Sequence, residues 1–252
     1  MVSVANVLNN LIYSPSGGIS LSNPSFPSSF SHFLATGTID LYTAPSNRRA
    51  AIFPSYGANG DGSPATVTSQ PQFKSGGTYY PLAIQSSTTQ NSLIASPSLP
   101  IILEPGEICS VTVGTTASAL NYGFPILEFD SSSTFRTVKL LSLSSGNNTL
   151  YTCPANTKAF ILDSNLAIGT TNGQINYYNA SGGSLTVQAY IVNSGGSQGT
   201  TNSTSTAASV GTGAFQAFLT SSNLNAGDFI VINTSAATAT QVAWVNILEG
   251  PA

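Results

Sequence analysis

The chain breaks into short runs of alternating apolar and polar positions, separated by clusters of Gly, Pro, Ser and Asn. Residues 184–192 show this best. Leu185, Val187, Ala189 and Ile191 share one face and Thr186 and Gln188 the other, the period of a half-buried strand. The pattern predicts strands at 30–34, 38–42, 50–53, 66–68, 77–84, 101–103, 108–113 and 124–129. It predicts a second series at 138–143, 149–152, 159–163, 173–178, 184–192, 215–219, 228–233 and 241–248. Short, regularly spaced strands with Gly/Pro turns point to an all-β fold of β-sandwich, jelly-roll-like domains rather than a propeller.

One stretch follows another period. Val4, Val7, Leu8, Leu11 and Ile12 fall at i, i+3, i+4, i+7 and i+8, a helical stripe, while Asn6, Asn9 and Asn10 are poor helix formers. A helix this short is marginal in water on its own. Turn-rich residues 14–18 and 23–27 follow it. Two readings stay open for 1–27: an anchoring arm that orders on a partner, or the first strand or frayed end of the next domain.

The two series of strands are related. Residues 41–53, LYTAPSNRRAAIF, match 150–162, LYTCPANTKAFIL, at seven of thirteen positions, where chance gives roughly one. Each copy runs a strand into a Pro-x-Asn turn, in which Pro fixes φ and Asn tolerates left-handed geometry. Ser75-Gly76-Gly77-Thr78 aligns with Ser181-Gly182-Gly183-Ser184, Glu104-Pro105-Gly106-Glu107 with Asn225-Ala226-Gly227-Asp228, and Ile126-Leu127-Glu128 with Ile247-Leu248-Glu249. The expected organisation is an arm at 1–27 and two tandem homologous domains at 28–129 and 130–252. On that alignment the second domain carries its extra length in a mobile Gly/Ser/Thr-rich loop near 194–213.

Charge changes the picture of what such a chain can do. Only 6% of the 252 residues are charged, the net charge is −3, and six Lys/Arg are scattered without a basic stripe, so nucleic-acid binding is not expected. No 18-residue apolar run offers a membrane span, and the first residues lack the charged and apolar regions of a secretory signal. A surface of hydroxyls and amides nevertheless suits a protein that works outside cells. Virion proteins, made in a host cytoplasm and exposed after release, satisfy both conditions.

Candidate chemistry is sparse. Cys109 and Cys153 align with Ile230 and Ala44, so two buried free thiols are expected rather than a disulfide or metal site. His32, the only histidine, has no nucleophile or carboxylate at motif spacing and reads as structural. Asn59-Gly60-Asp61-Gly62 resembles a calcium loop only superficially, lacking further carboxylates and a closing Glu. Glu107 and Asp228 read as acceptors for turn N–H groups. Glu128 and Glu249 recur once per domain, which argues for structure over a glycosidase pair. No nucleophile elbow, P-loop or zinc-protease motif occurs, so no enzyme activity and no cofactor are expected. Asn-x-Ser/Thr triplets at Asn147, Asn179, Asn202 and Asn233 are what such a composition produces by chance. The aromatic residues Tyr79, Tyr80, Tyr177, Tyr178 and Trp244 are the candidate partner- or glycan-contacting side chains, weighed against a role as core residues.

The Tyr-Thr-x-Pro-x-x-x-Lys/Arg opening (Tyr42 to Arg49, Tyr151 to Lys158) and the late Glu-Pro-Gly-Glu or Asn-Ala-Gly-Asp turn resemble segments of accessory structural proteins of tailed bacteriophages. There they belong to small β-sandwich domains on heads, necks, tails and fibres. Asn47 and Asn156 stand where that family often has Gly, and no catalytic residue carries over. The resemblance implies a virion structural protein that packs with other virion proteins as a homo-oligomer. The alternative is a carbohydrate- or receptor-binding module directed at a host surface glycan.

Overall fold

The computed structural model describes residues 23–33, 36–53, 56–59, 67–82, 86–88, 93–95, 100–114, 120–162, 173–179, 185–196, 208–210, 213–219, 223–237 and 241–252. The helical stripe Val4, Val7, Leu8, Leu11 and Ile12 lies outside them, as do residues 60–66 beyond Asn59 and most of 194–213. The chain is all-β. Among the described residues every regular element is a strand and every pairing is antiparallel. It divides into two compact units, one of Leu21–Ser132 and one containing Ser133–Ala252.

The first unit holds β1 (Ser28–Phe33), β2 (Gly37–Thr43), β3 (Arg48–Ile52), β4 (Tyr56–Asn59), β5 (Val67–Ser75), β6 (Thr78–Pro81), β7 (Ser86–Thr88), β8 (Leu93–Ala95), β9 (Ile101–Leu103), β10 (Ile108–Val113) and β11 (Leu120–Asp130). Its larger sheet runs β8-β4-β11-β3-β9 with β1 also on β11, and its smaller sheet runs β2-β10-β5-β6 with β7 on β5. The second unit holds β12 (Phe135–Leu140), β13 (Gly146–Thr152), β14 (Thr157–Ile161), β15 (Gly173–Asn179), β16 (Leu185–Val192), β17 (Ala208–Val210), β18 (Gly213–Leu219), β19 (Asn223–Leu224), β20 (Phe229–Thr234) and β21 (Gln241–Pro251). Its sheets run β18-β15-β21-β14-β19 with β12 on β21, and β13-β20-β16-β17. Apart from β7, the two strand orders are the same.

Repeated residues explain repeated geometry. Leu41 and Leu150 are the extra residues of matching β-bulges: Cys109 pairs with Tyr42 and Ser110 with Asp40, while Ile230 pairs with Tyr151 and Val231 with Thr149. Paired residues share a face, so the bulge turns Asp40 outward and Tyr42 inward, which plain alternation forbids. The Pro turns close with Arg48 N–H on Pro45 O at 3.1 Å and Thr157 N–H on Pro154 O at 3.3 Å. Asn156 takes the left-handed φ of 59° expected of that turn; Asn47 does not.

Register corrects three expectations. The Gly76-Gly77 turn, with φ of 57° and 85°, joins β5 to β6. Lys74 and Val192 pair with Ile108 and Phe229, so the matching turn is 193–196, after β16, and not the Ser-Gly-Gly-Ser before it. Ser/Gly tetrapeptides are too common in this chain to carry an alignment. The extra length of the second unit also moves. Phe53 and Leu162 hold equivalent places beside β11 and β21, as do Tyr56 and Asn176, so most of the expansion lies between β14 and β15. Within 194–213, Ala208–Val210 is strand β17, paired with β16. Finally, Tyr56–Asn59, which falls outside the predicted strands, is strand β4, because β11 extends back to Leu120 to pair with it. Ahead of β1, Ser25 bridges Glu128, with N–H···O distances of 3.0 and 2.9 Å in the two directions.

In the second unit the two sheets close on one core, in which Leu150, Val187 and Ile230 of the smaller sheet meet Ile161, Tyr177 and Val245 of the larger. Burying such side chains stabilises by about 1.5–3 kcal/mol each. β15 is buried along its whole length, both faces included.

Candidate functional site

Two polar clusters recur at matching places. In the first unit the inward-turned Tyr42 donates its hydroxyl to Glu128 Oε1 at 2.6 Å, reaching from the smaller sheet to the larger. Arg48 Nε lies 3.0 Å from Glu128 Oε2, without the alignment of a hydrogen bond, and Arg48 Nη1 is 3.6 Å from Asp130. Ser25 donates to Glu128 Oε2 at 2.9 Å and Asn23 to Asp130 at 2.9 Å, and Arg48 Nη2 donates to the Asn23 carbonyl. In the second unit Tyr151 donates to Glu249 Oε1 at 2.8 Å and Arg136 Nη2 to the same oxygen at 2.7 Å. Burial, then the adjoining carboxylate, raises both phenol pKa values well above the usual tyrosine range. In each cluster one glutamate meets a phenol and a guanidinium, and in the first unit Asp130 joins them as a second carboxylate. The phenol–carboxylate bond ties two sheets together.

The turn carboxylates are likewise internal. Glu107 Oε2 accepts from Glu104 N–H at 2.9 Å and Asp228 Oδ2 from Asn225 N–H at 2.8 Å, the capping role expected of them. Gly106 and Gly227 hold φ of 82° and 84° inside these turns. Cys109 and Cys153 are free and buried, and burial pushes both thiols up, away from the reactive thiolate. Among the described residues no three His, Cys, Asp or Glu side chains group as metal ligands.

The candidate aromatics divide. Tyr177 lies in the second unit's core at 0% exposure, Tyr178 is buried on the opposite face of β15, and Trp244 is buried on β21. As folded, these three present no face to a glycan. Tyr80 is half-buried and stacks on Phe73, centroids 5.1 Å apart. Tyr79 is different. It is 37% exposed on β6, its hydroxyl donates to Asp40 Oδ1 at 3.1 Å and accepts from Lys74 Nζ at 3.1 Å, and the same ammonium stands 4.7 Å from its ring centroid. Lys74 also pairs with Asp40 Oδ2 at 3.1 Å. Asp40 stands on β2, Lys74 on β5 and Tyr79 on β6, so this trio crosses the outer face of the smaller sheet. The sequence offered Tyr79 among five aromatics; it had no signal for Asp40 or Lys74, which lie 34 residues apart.

No protein-family model matches the chain, and no curated protein matches it. Similar solved structures include a protein of an archaeal virus with a triple jelly roll fold and turret assembly, at 14% identity and a TM-score of 0.26, covering 90% of this chain and 59% of that one. The N-terminal CBM22-1–CBM22-2 tandem of Paenibacillus barcinonensis Xyn10C is similar at 9% identity and 0.26, over 96% of both chains. PNGase F, a glycosylasparaginase from Flavobacterium meningosepticum, is similar at 10% identity and 0.36, over 92% of this chain and 96% of that one. The three differ in role, and the likeness singles out none of them. The chain spans less than two thirds of the viral protein's length.

Proposed function

We propose that the chain is a non-enzymatic structural protein of a virion, of the kind tailed bacteriophages place on heads, necks or tails, acting by packing against other virion proteins and further copies of itself. One observation carries this reading. The same strand order occurs twice, and with it recur the polar clusters Tyr42–Glu128–Arg48 and Tyr151–Glu249–Arg136, which tie the sheets within each unit. Such units supply rigid surface for assembly, and repeated positions on a particle call for symmetric copies.

Single-particle imaging and mass photometry of the purified full chain test it. Rings or other closed assemblies of fixed copy number are the expected result. A monodisperse monomer that also fails to sediment with phage particles would overturn the reading. A deletion of residues 1–22 tests the arm: folding should survive while incorporation into particles is lost. The cut stops there because Asn23 and Ser25 are bonded to Asp130 and Glu128.

A further inference from the structure

We propose that the outer face of the first unit's smaller sheet binds a neutral polysaccharide of a cell surface, with Tyr79 and Gln72 as its principal contacts. The inference stands apart from the virion reading and holds whether or not the chain assembles.

The register arranges this face in rows. Asp40, Ser110, Gln72 and Pro81 are opposed across four strands, with Thr38, Thr112 and Gln70 in the next row. On the other side Ile108, Lys74 and Tyr79 form the third. Six of these ten side chains are an amide, a hydroxyl or an aromatic ring. Among the described residues of these rows the only charges are Asp40 and Lys74, which cancel at 3.1 Å. A face of this kind has nothing to select an anionic polymer and much to offer a neutral one: donors and acceptors for hydroxyls, and a ring for the apolar face of a sugar.

The middle row contains unmet hydrogen-bonding capacity. Ser110 Oγ and Gln72 Oε1 are buried without a partner, in residues 0% and 8% exposed. Gln72 Nε2 reaches Gln70 Oε1 only at 3.4 Å, a weak contact. Buried polar atoms are ordinarily paired, so two unpartnered oxygens in one row call for an explanation; a ligand's hydroxyl would supply one. A sugar hydroxyl both donates and accepts, so one hydroxyl can donate to Gln72 Oε1 and accept from Ser110. The Asp40–Lys74–Tyr79 contacts on the same face are exposed bonds for which water already competes, so a ligand can displace them.

The second unit supplies an internal comparison. Register places Val231 where the first unit has Ser110, Tyr190 in place of Gln72 and Val192 in place of Lys74. Tyr190 donates to Asn147 Oδ1 at 3.0 Å, and Asn233 donates to the same oxygen. Its described residues leave no unpartnered buried oxygen or nitrogen on this face. Among the described residues, unmet capacity on this face belongs to the first unit.

Affinity electrophoresis of the full chain through gels containing mannan, dextran or xylan, with polygalacturonate as the anionic comparison, tests the proposal. At least one neutral polymer should retard the wild type, and Tyr79→Ala and Gln72→Ala should each weaken that retardation at least tenfold. Thr186→Ala, exposed on the second unit, should leave it unchanged. No retardation by any neutral polymer, retardation by polygalacturonate alone, or retardation that survives Tyr79→Ala would overturn it. Circular dichroism checks each variant; if Gln72→Ala does not fold, Tyr79→Ala decides, since that side chain is exposed. A monomer that fails to sediment with phage particles yet still binds would sink the virion reading and leave this one standing.

Discussion

The two units follow one strand order yet differ on the outer face of the smaller sheet. The first unit sets Ser110, Gln72 and Lys74 there, with Tyr79 exposed at the edge; the second sets Val231, Tyr190 and Val192, with the Tyr190 hydroxyl satisfied by Asn147. The inward side shows the reverse. Both units keep a core-side tyrosine on a carboxylate of the opposite sheet, and both keep the bulge that turns it inward. The lesson is that the sandwich constrains the inner positions and leaves the outer ones free to take on binding chemistry.

The comparison can be broken hardest at its buried aromatics. Tyr177→Ala should cost about 3–5 kcal/mol, because a large side chain at 0% exposure leaves a cavity. Tyr177→Phe should be neutral or slightly stabilising, since the lost hydroxyl is buried without a partner. Urea denaturation of both variants checks this pair.

Next come the inter-sheet ties. Tyr42→Phe and Tyr151→Phe should each cost about 1–2 kcal/mol, the worth of a part-buried hydrogen bond to a carboxylate. If the two units use the tie alike, the two losses agree; a loss confined to one unit would break the equivalence. The same phenols predict the alkaline limb. In the folded chain they keep their protons to higher pH than the ordinary tyrosine range. The unfolded chain therefore releases protons first, above about pH 10, and stability is intact below that pH and falls as pH climbs beyond it. Each Tyr→Phe variant should flatten that fall.

The turn glycines give a smaller effect. Gly106→Ala and Gly227→Ala should each cost about 1–2 kcal/mol for the left-handed backbone. Gly227→Ala should cost more, because its Cβ would meet Ser194 Cβ at 3.0 Å while that of Gly106 meets nothing within 4 Å. Thermal unfolding resolves the difference. Smallest of all, Tyr79→Ala should leave stability within about 0.5 kcal/mol of wild type, so any change in polysaccharide binding reports the site alone.

Much of this was legible in the chain. Alternation located most strands, because burial of one face writes a period of two into the residues. Most of strand β5 was missed, since only Val67 and Thr68 fall in the predicted strand: Pro71 and three glutamine or serine neighbours interrupt the apolar signal, and the proline fits where the neighbouring strand changes from β7 to β6. The Pro and Gly turns, the capping carboxylates and the buried thiols were readable because each depends on residues close in sequence or on a single aligned position. The candidate site was legible only as one tyrosine among five.

By itself, then, the sequence determined that the chain is all-β, where its tight turns fall and which inner positions are apolar, since these follow from local backbone preference and from alternation. Only the tertiary structure decided that Tyr79 is exposed while Tyr177, Tyr178 and Trp244 are buried. It alone put Glu249 on Arg136 and set Asp40 against Lys74. A strand's pattern says which residues share a face but not what covers that face. The partners of a charge 34 or 113 residues away are set by strand register, which local sequence does not encode.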